Sequence, residues 1–167
     1  MSSSLRIEAA RPQHAAVLLS LVHDLARFER LEHQVVASEQ QMRDELGASR
    51  PVIEASIAWD AEEAVGFALY FHNFSTFLGR RGLYLEDLYV VPSARRRGIG
   101  RALIEHLAAI AVERGCGRFE WAVLDWNQHA IDFYRSLGAE LLSDWRICRV
   151  TGDALGRLGA NGSGGTR

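Results

Sequence analysis

No lysine occurs in this chain; all 19 basic residues are arginine. Such a bias is what a genome rich in G and C would produce, and it leaves every side chain without a primary amine. Cysteine is nearly absent too. Cys116 and Cys148 stand far apart with no metal-ligand spacing, so reduced thiols in a cytoplasm are expected. His14, His23, His33, His72, His106 and His129 form no ligand pattern either, and no metal site is expected. The formal net charge of −2 argues against a general nucleic-acid binder. No apolar run is long enough to span a bilayer, and Met1-Ser2-Ser3-Ser4 lacks a signal-peptide core. Neither a nucleic acid nor a membrane is therefore expected as a partner. There is no internal repeat.

What is present is a globular composition. The chain has 167 residues, 48% of them hydrophobic, which suits one domain with a sizeable core. Its organising stretch runs from Leu83 to Leu107. An apolar, β-rich segment, Leu83 to Val91, is ended by Pro92 and Ser93. Arg95-Arg96-Arg97-Gly98-Ile99-Gly100 then opens a helix, with Ile99, Leu103, Leu107 and Ile110 spaced by four, four and three. Strand, basic glycine turn and helix place several backbone N–H groups and the positive end of a helix dipole at one point. Glycines let the backbone close on an anion without side-chain obstruction. The pattern reads as a diphosphate cradle; taken alone, it equally describes a tight turn with good helix packing.

Around this stretch the periodicities predict a first strand over Leu5 to Ala9 and a helix from Pro12 to about Glu29, with Leu18, Leu21, Leu25 and Phe28 on one face. After a loop, Arg30 to Val36, Ser38 caps a second helix, Glu39 to Leu46, with Gln41 at the capping-box position and Gly47 at its end. Val52 to Trp59 and Ala64 to Asn73 read as strands, and Phe74 to Gly82 as a loop. The third helix runs from Gly98 to about Arg114, and Phe119 to Leu124 is a strand. Asn127 caps a helix that ends near Gly138. Glu140 to Leu142 and Trp145 to Val150 read as final strands, Gly152 to Leu158 as a last turn, and Gly159 to Arg167 as a linker-like tail. The order gives a single α/β domain over residues 5–155, with helices on both faces of one mixed sheet.

The hexapeptide Arg95-x-x-Gly98-x-Gly100 resembles the acetyl-CoA loop of the GCN5-related N-acetyltransferase superfamily. The resemblance covers about residues 5 to 155. Four blocks are similar to the diamine and polyamine branch, which includes the spermidine/spermine and thialysine enzymes: Leu25-Ala26-Arg27-Phe28-Glu29, Leu83-Tyr84-Leu85-Glu86-Asp87, the arginine–glycine loop, and Trp126-Asn127-x-x-Ala130-Ile131-Asp132-Phe133-Tyr134. The resemblance implies acetyl-CoA as co-substrate, a small primary amine as acceptor, direct attack in a ternary complex, and a homodimer.

Acyl transfer to an amine needs the amine deprotonated, donors for the developing oxyanion, an acid for the leaving thiolate, and two substrates held together. The resemblance implies Glu86 as the base, acting through water; a substrate anchor is the other reading of this carboxylate. In a regular strand Glu86 shares a face with Tyr84, Leu88 and Val90, and Asp87 with Leu85 and Tyr89, unless a bulge intervenes. Tyr134, two helical turns after Asn127 and on the same face, is implied as the acid at the CoA sulfur. Asn127 is implied to bond the pantetheine arm, although an Asn here also serves as a plain cap. Further CoA contacts are implied for the backbone of Leu88, Tyr89 and Val90, and for Arg95, Arg96, Arg97, Gly98, Ile99, Gly100 and Arg101. Phe28 and Glu29 match an aromatic–acid pair near the acceptor, with Phe where Tyr is usual. Asp87, Asp144 and Trp145 complete the implied acceptor side. Acetylation of a protein or peptide, and a non-catalytic CoA sensor, are the alternatives.

Overall fold

The computed structural model describes residues 5–163. They fall into two compact units divided between Ala122 and Val123. In the first, five strands lie in sequential order: β1 (Leu5–Ala9), β2 (Glu54–Asp60), β3 (Glu63–Ser75), β4 (Arg80–Val90) and β5 (Phe119–Trp121). β1 to β4 pair antiparallel, and β4 pairs parallel with β5. A parallel pair needs a long crossover, supplied here by helix α3 (Ile99–Glu113). Helices α1 (Ala15–Glu29) and α2 (Glu39–Leu46) join β1 to β2.

Alternation along β2 puts the helices on opposite faces. Ala55 and Ile57 pack with Leu18, Leu21 and Leu25 of α1 in a buried cluster that includes Phe67, Leu69 and Tyr89. Between them, Ser56 turns the other way, its Oγ 3.1 Å from His106 Nε2 on α3. Burial pushes the His106 imidazole below its ordinary pKa. β3 and β4 approach very closely at Gly66: a Cβ there would lie 2.7 Å from the Tyr89 carbonyl oxygen, so only glycine fits.

The local signals read from the sequence recur here. Ser38 Oγ accepts from the Gln41 N–H at 3.2 Å, and Gln41 Oε1 accepts from the Ser38 N–H at 2.8 Å, closing the capping box of α2. Several boundaries differ; β2, for one, starts at Glu54 where Val52 was expected. The expected loop Phe74 to Gly82 is mostly strand: β3 runs to Ser75 and β4 starts at Arg80, joined through Gly79 at φ +62°. The first turn around Pro12 is a 3-10 turn, Pro12–His14, ahead of α1. The strand expected to reach Leu124 stops at Trp121.

The second unit contains α4 (Gln128–Ser136) and α5 (Gly152–Ser163). The expected strands Glu140 to Leu142 and Trp145 to Val150 do not form; among the described residues this stretch is turn and irregular chain. Gly159 onward was expected as a tail, but α5 continues to Ser163, with Asp153 in its first turn where the helix dipole favours an acid. Residues 164–167 of that tail lie outside the described residues. No helix among the described residues is long and apolar enough to cross a membrane. Both cysteines are free thiols.

Candidate active site

β4 carries the first element of the site. Its register with β3 shifts once: Leu69 faces Asp87 while Tyr70 faces Leu85. Glu86 is thus the extra residue of a β-bulge, which bends the strand and breaks its alternation. Glu86 is exposed, whereas Asp87 is half-buried. The β4–β5 ladder covers only Leu83 to Leu85, so β4 runs on through the bulge to Val90 with no β5 partner. An open backbone edge of this kind can take up an extended amide-bearing ligand in strand-like fashion.

Asp87 enters a cavity of about 160 Å³, whose lining includes Leu25 and Glu29 of α1 and Leu31, Gln34 and Val35 of the following loop. Burial is the main cause that pushes the Asp87 carboxyl up to about 6, and the neighbouring charges of Glu86 and Glu29 add to it. Burial raises Glu29 as well. Two carboxyls sharing an apolar-walled cavity cannot both ionise at low cost unless a cation joins them. From the sequence, Glu29 and Asp87 are expected on the acceptor side and the loop Arg30 to Val36 as a wall of the cleft, but Leu31, Gln34 and Val35 are not singled out within it. Their loop contains a 3-10 turn, Glu32–Gln34, that has no strong sequence signature.

The cradle follows β4. A 3-10 turn, Pro92–Ala94, buries Ala94 and leads to Arg96 at φ +61° and Gly98 at φ +81°. Gly98 is the N-cap of α3, and buried Ile99 anchors the first turn. A Cβ on Gly98 would meet nothing within 4 Å, so the space over this turn is open. A left-handed non-glycine residue such as Arg96 costs energy, and such strain clusters where a ligand is held. The turn, the glycine and the helix end fit a diphosphate. Arg97 Nη2 is 2.6 Å from Asp60 Oδ2 at the end of β2, and Arg101 pairs with Glu105 at 3.4 Å. Arg95 is folded back: its Nε donates to the Val90 carbonyl at 2.9 Å, and its guanidinium lies over the Phe28 and Tyr89 rings.

In the second unit, Asn127 Oδ1 accepts from the Ala130 N–H at 3.2 Å and caps α4. Tyr134 is half-buried, its ring 5.3 Å from that of Phe133. Asp144 and Trp145 lie in the irregular segment before α5, with Trp145 80% exposed. No group of three or more His, Cys, Asp or Glu able to hold a metal ion occurs among the described residues.

The family model for the acetyltransferase (GNAT) family matches residues 18–139. The chain belongs to this family, and it is an N-acetyltransferase. It is 36% identical to the thialysine N-epsilon-acetyltransferase of Mus musculus, over 93% of this chain and 98% of that protein. It is 33% identical to the L-ornithine N5-acetyltransferase of Arabidopsis thaliana, over 90% of this chain and 86% of that one. Among solved structures, an integron cassette protein from the mobile metagenome of V. cholerae superposes with a TM-score of 0.78 at 30% identity, covering 93% of this chain and 98% of that chain. The branch resemblance drawn from the four sequence blocks agrees with these relatives.

Proposed function

We propose that this enzyme moves an acetyl group from acetyl-CoA to the primary amine of a small molecule, a diamine or a thialysine- or ornithine-like amino acid. The acidic cavity carries this reading. Its two carboxyls complement an ammonium, and its apolar wall suits a short methylene chain. A volume of about 160 Å³ lies well below the roughly 300–1,000 Å³ of drug-sized sites. Relatives that act on thialysine and ornithine point the same way.

Acetyl-CoA supplies the activated acetyl group as a thioester. The backbone of Arg96 to Arg101 would seat its pyrophosphate, and the open edge of β4, Leu88 to Val90, its pantetheine arm. Glu29 and Asp87 hold the acceptor's distal cation. Glu86, on the bulge, takes the proton from the attacking amine through water. The amine nitrogen bonds to the acetyl carbon, the carbon–sulfur bond breaks, and Tyr134 gives the departing thiolate a proton. No acyl-enzyme is needed. The apolar residues of the segment before α5, Leu142, Trp145 and Ile147 among them, are exposed in a single copy, which supports a homodimer that covers them.

A thiol-release screen tests this reading, with acetyl-CoA presented to diamines, polyamines, thialysine, ornithine, lysine and peptides. Short diamines or thialysine-like amines should release CoA fastest, and peptides should be inert. Peptide turnover would move the function to protein acetylation. CoA binding by calorimetry without thiol release from any amine would make the chain a sensor.

A further inference from the structure

Three consecutive arginines open the cradle, and as a sequence they look equivalent. Their surroundings differ. Arg95 sits where three parts of the first unit meet: the last turn of α1, the end of β4 and the loop itself. Its guanidinium carbon is 4.8 Å from the centre of the Phe28 ring and 5.6 Å from that of Tyr89. Its Nε–H is committed to the Val90 carbonyl at 2.9 Å. Tyr89 is buried in the α1–sheet core, so one of the two rings is fixed. Phe28 is 41% exposed, near the end of α1, where Arg30 at φ +62° turns the chain away. A planar, weakly hydrated guanidinium can lie against aromatic faces and donate from its edge at once; an ammonium cannot do both.

We propose that Arg95 is a positioning residue for the acceptor side, tying Phe28, and with it Glu29 and the last turn of α1, to the end of β4, and not a ligand of the CoA phosphates. The proposal rests on the reading of Glu29 and Asp87 as the amine's anchors. Glu29 follows Phe28 directly, so a loosened last turn lets its carboxyl drift from Asp87 across the shared cavity. Helix ends fray most readily, and a contact worth little in global stability can still set their order.

The test uses the full chain with Arg95→Ala, Arg95→Lys, Phe28→Leu and the Arg95→Ala/Phe28→Leu double variant. CoA affinity by calorimetry should stay within about twofold in all of them. The amine KM should rise about three- to tenfold in Arg95→Ala, with kcat within about twofold. Phe28→Leu should do the same, and the double variant should be no worse than the larger single change, since both cut one tie. Lysine should not rescue, because the tie needs the flat guanidinium; a phosphate contact would be largely restored by the same charge. Hydrogen exchange needs no amine: Arg95→Ala should speed exchange of the Arg30 and Leu31 amides, which bond back to Arg27 and Ala26. Unchanged exchange there, or CoA affinity lowered tenfold and recovered in Arg95→Lys, would overturn the proposal. Faster exchange with an unchanged amine KM would overturn the positioning role while leaving the tie. A wild type that acetylates no amine would instead refute the acceptor reading, and the exchange and CoA measurements would still decide whether Arg95 makes the tie.

Discussion

Tyr134→Phe should lower turnover about a hundredfold or more while leaving CoA affinity within about twofold. The substitution keeps the ring, so the half-buried packing beside Phe133 survives and only the hydroxyl is lost. A positioned acid typically contributes about 10²–10⁴ in rate. Placement on α4 follows from the Asn127 cap: the helix starts there, and two turns later residue 134 returns to the same face. Turnover measured under saturating acetyl-CoA, beside a calorimetric CoA titration, separates the roles. Comparable losses in both would assign Tyr134 to packing, and an unchanged rate would remove it from the chemistry.

Asp87→Asn should make the protein more stable and a poorer enzyme. Burial, with Glu86 and Glu29 behind it, raises the folded-state pKa of Asp87 from 3.8 to about 6. Between those values the folded chain holds the proton that the unfolded chain has released. Asp87 therefore favours the folded state least when ionised: its contribution is intact below pH 4 and lost as pH rises through about 6. Asparagine keeps the shape without the charge. At pH 7.5 it should add about 1–2 kcal/mol, a melting rise of about 2–4 °C per kcal/mol, and close to nothing at pH 4. The same change should raise the amine KM about tenfold or more, because a buried ammonium loses its counter-charge. In the wild type kcat/KM should fall as pH drops below about 6, and the variant should lack that limb. A melting gain of equal size at pH 4 and pH 7.5, or an unaltered amine KM, would refute this assignment. Such a gain in stability at the expense of binding is expected where a site stores unfavourable charge.

Much of this was legible along the chain because it depends on neighbours in sequence. The capping box Ser38–Gln41 needs four residues, and the left-handed Gly98 at the mouth of α3 needs only a glycine between an apolar strand and a helical repeat. Other features depend on what lies across a sheet or beyond it. The bulge at Glu86 is set by the register with Leu69 and Tyr70, so alternation within β4 could not locate it. The basic run Arg80-Arg81-Gly82 reads as a loop until its pairing with residues 73–75 of β3 is seen. The stretch 140–150 has strand-like composition, yet a strand exists only in a ladder, which composition does not supply, and none is formed there among the described residues. Arg95 and Arg97 were indistinguishable as charges; only the fold sends one to two aromatic rings and the other to Asp60.

Where the donor binds decides the function. In a crystal structure of the chain with coenzyme A, the pyrophosphate should rest on the backbone amides between Arg96 and Arg101, with the thiol end reaching the bulge at Glu86. Density for the pyrophosphate anywhere else on the molecule would contradict it.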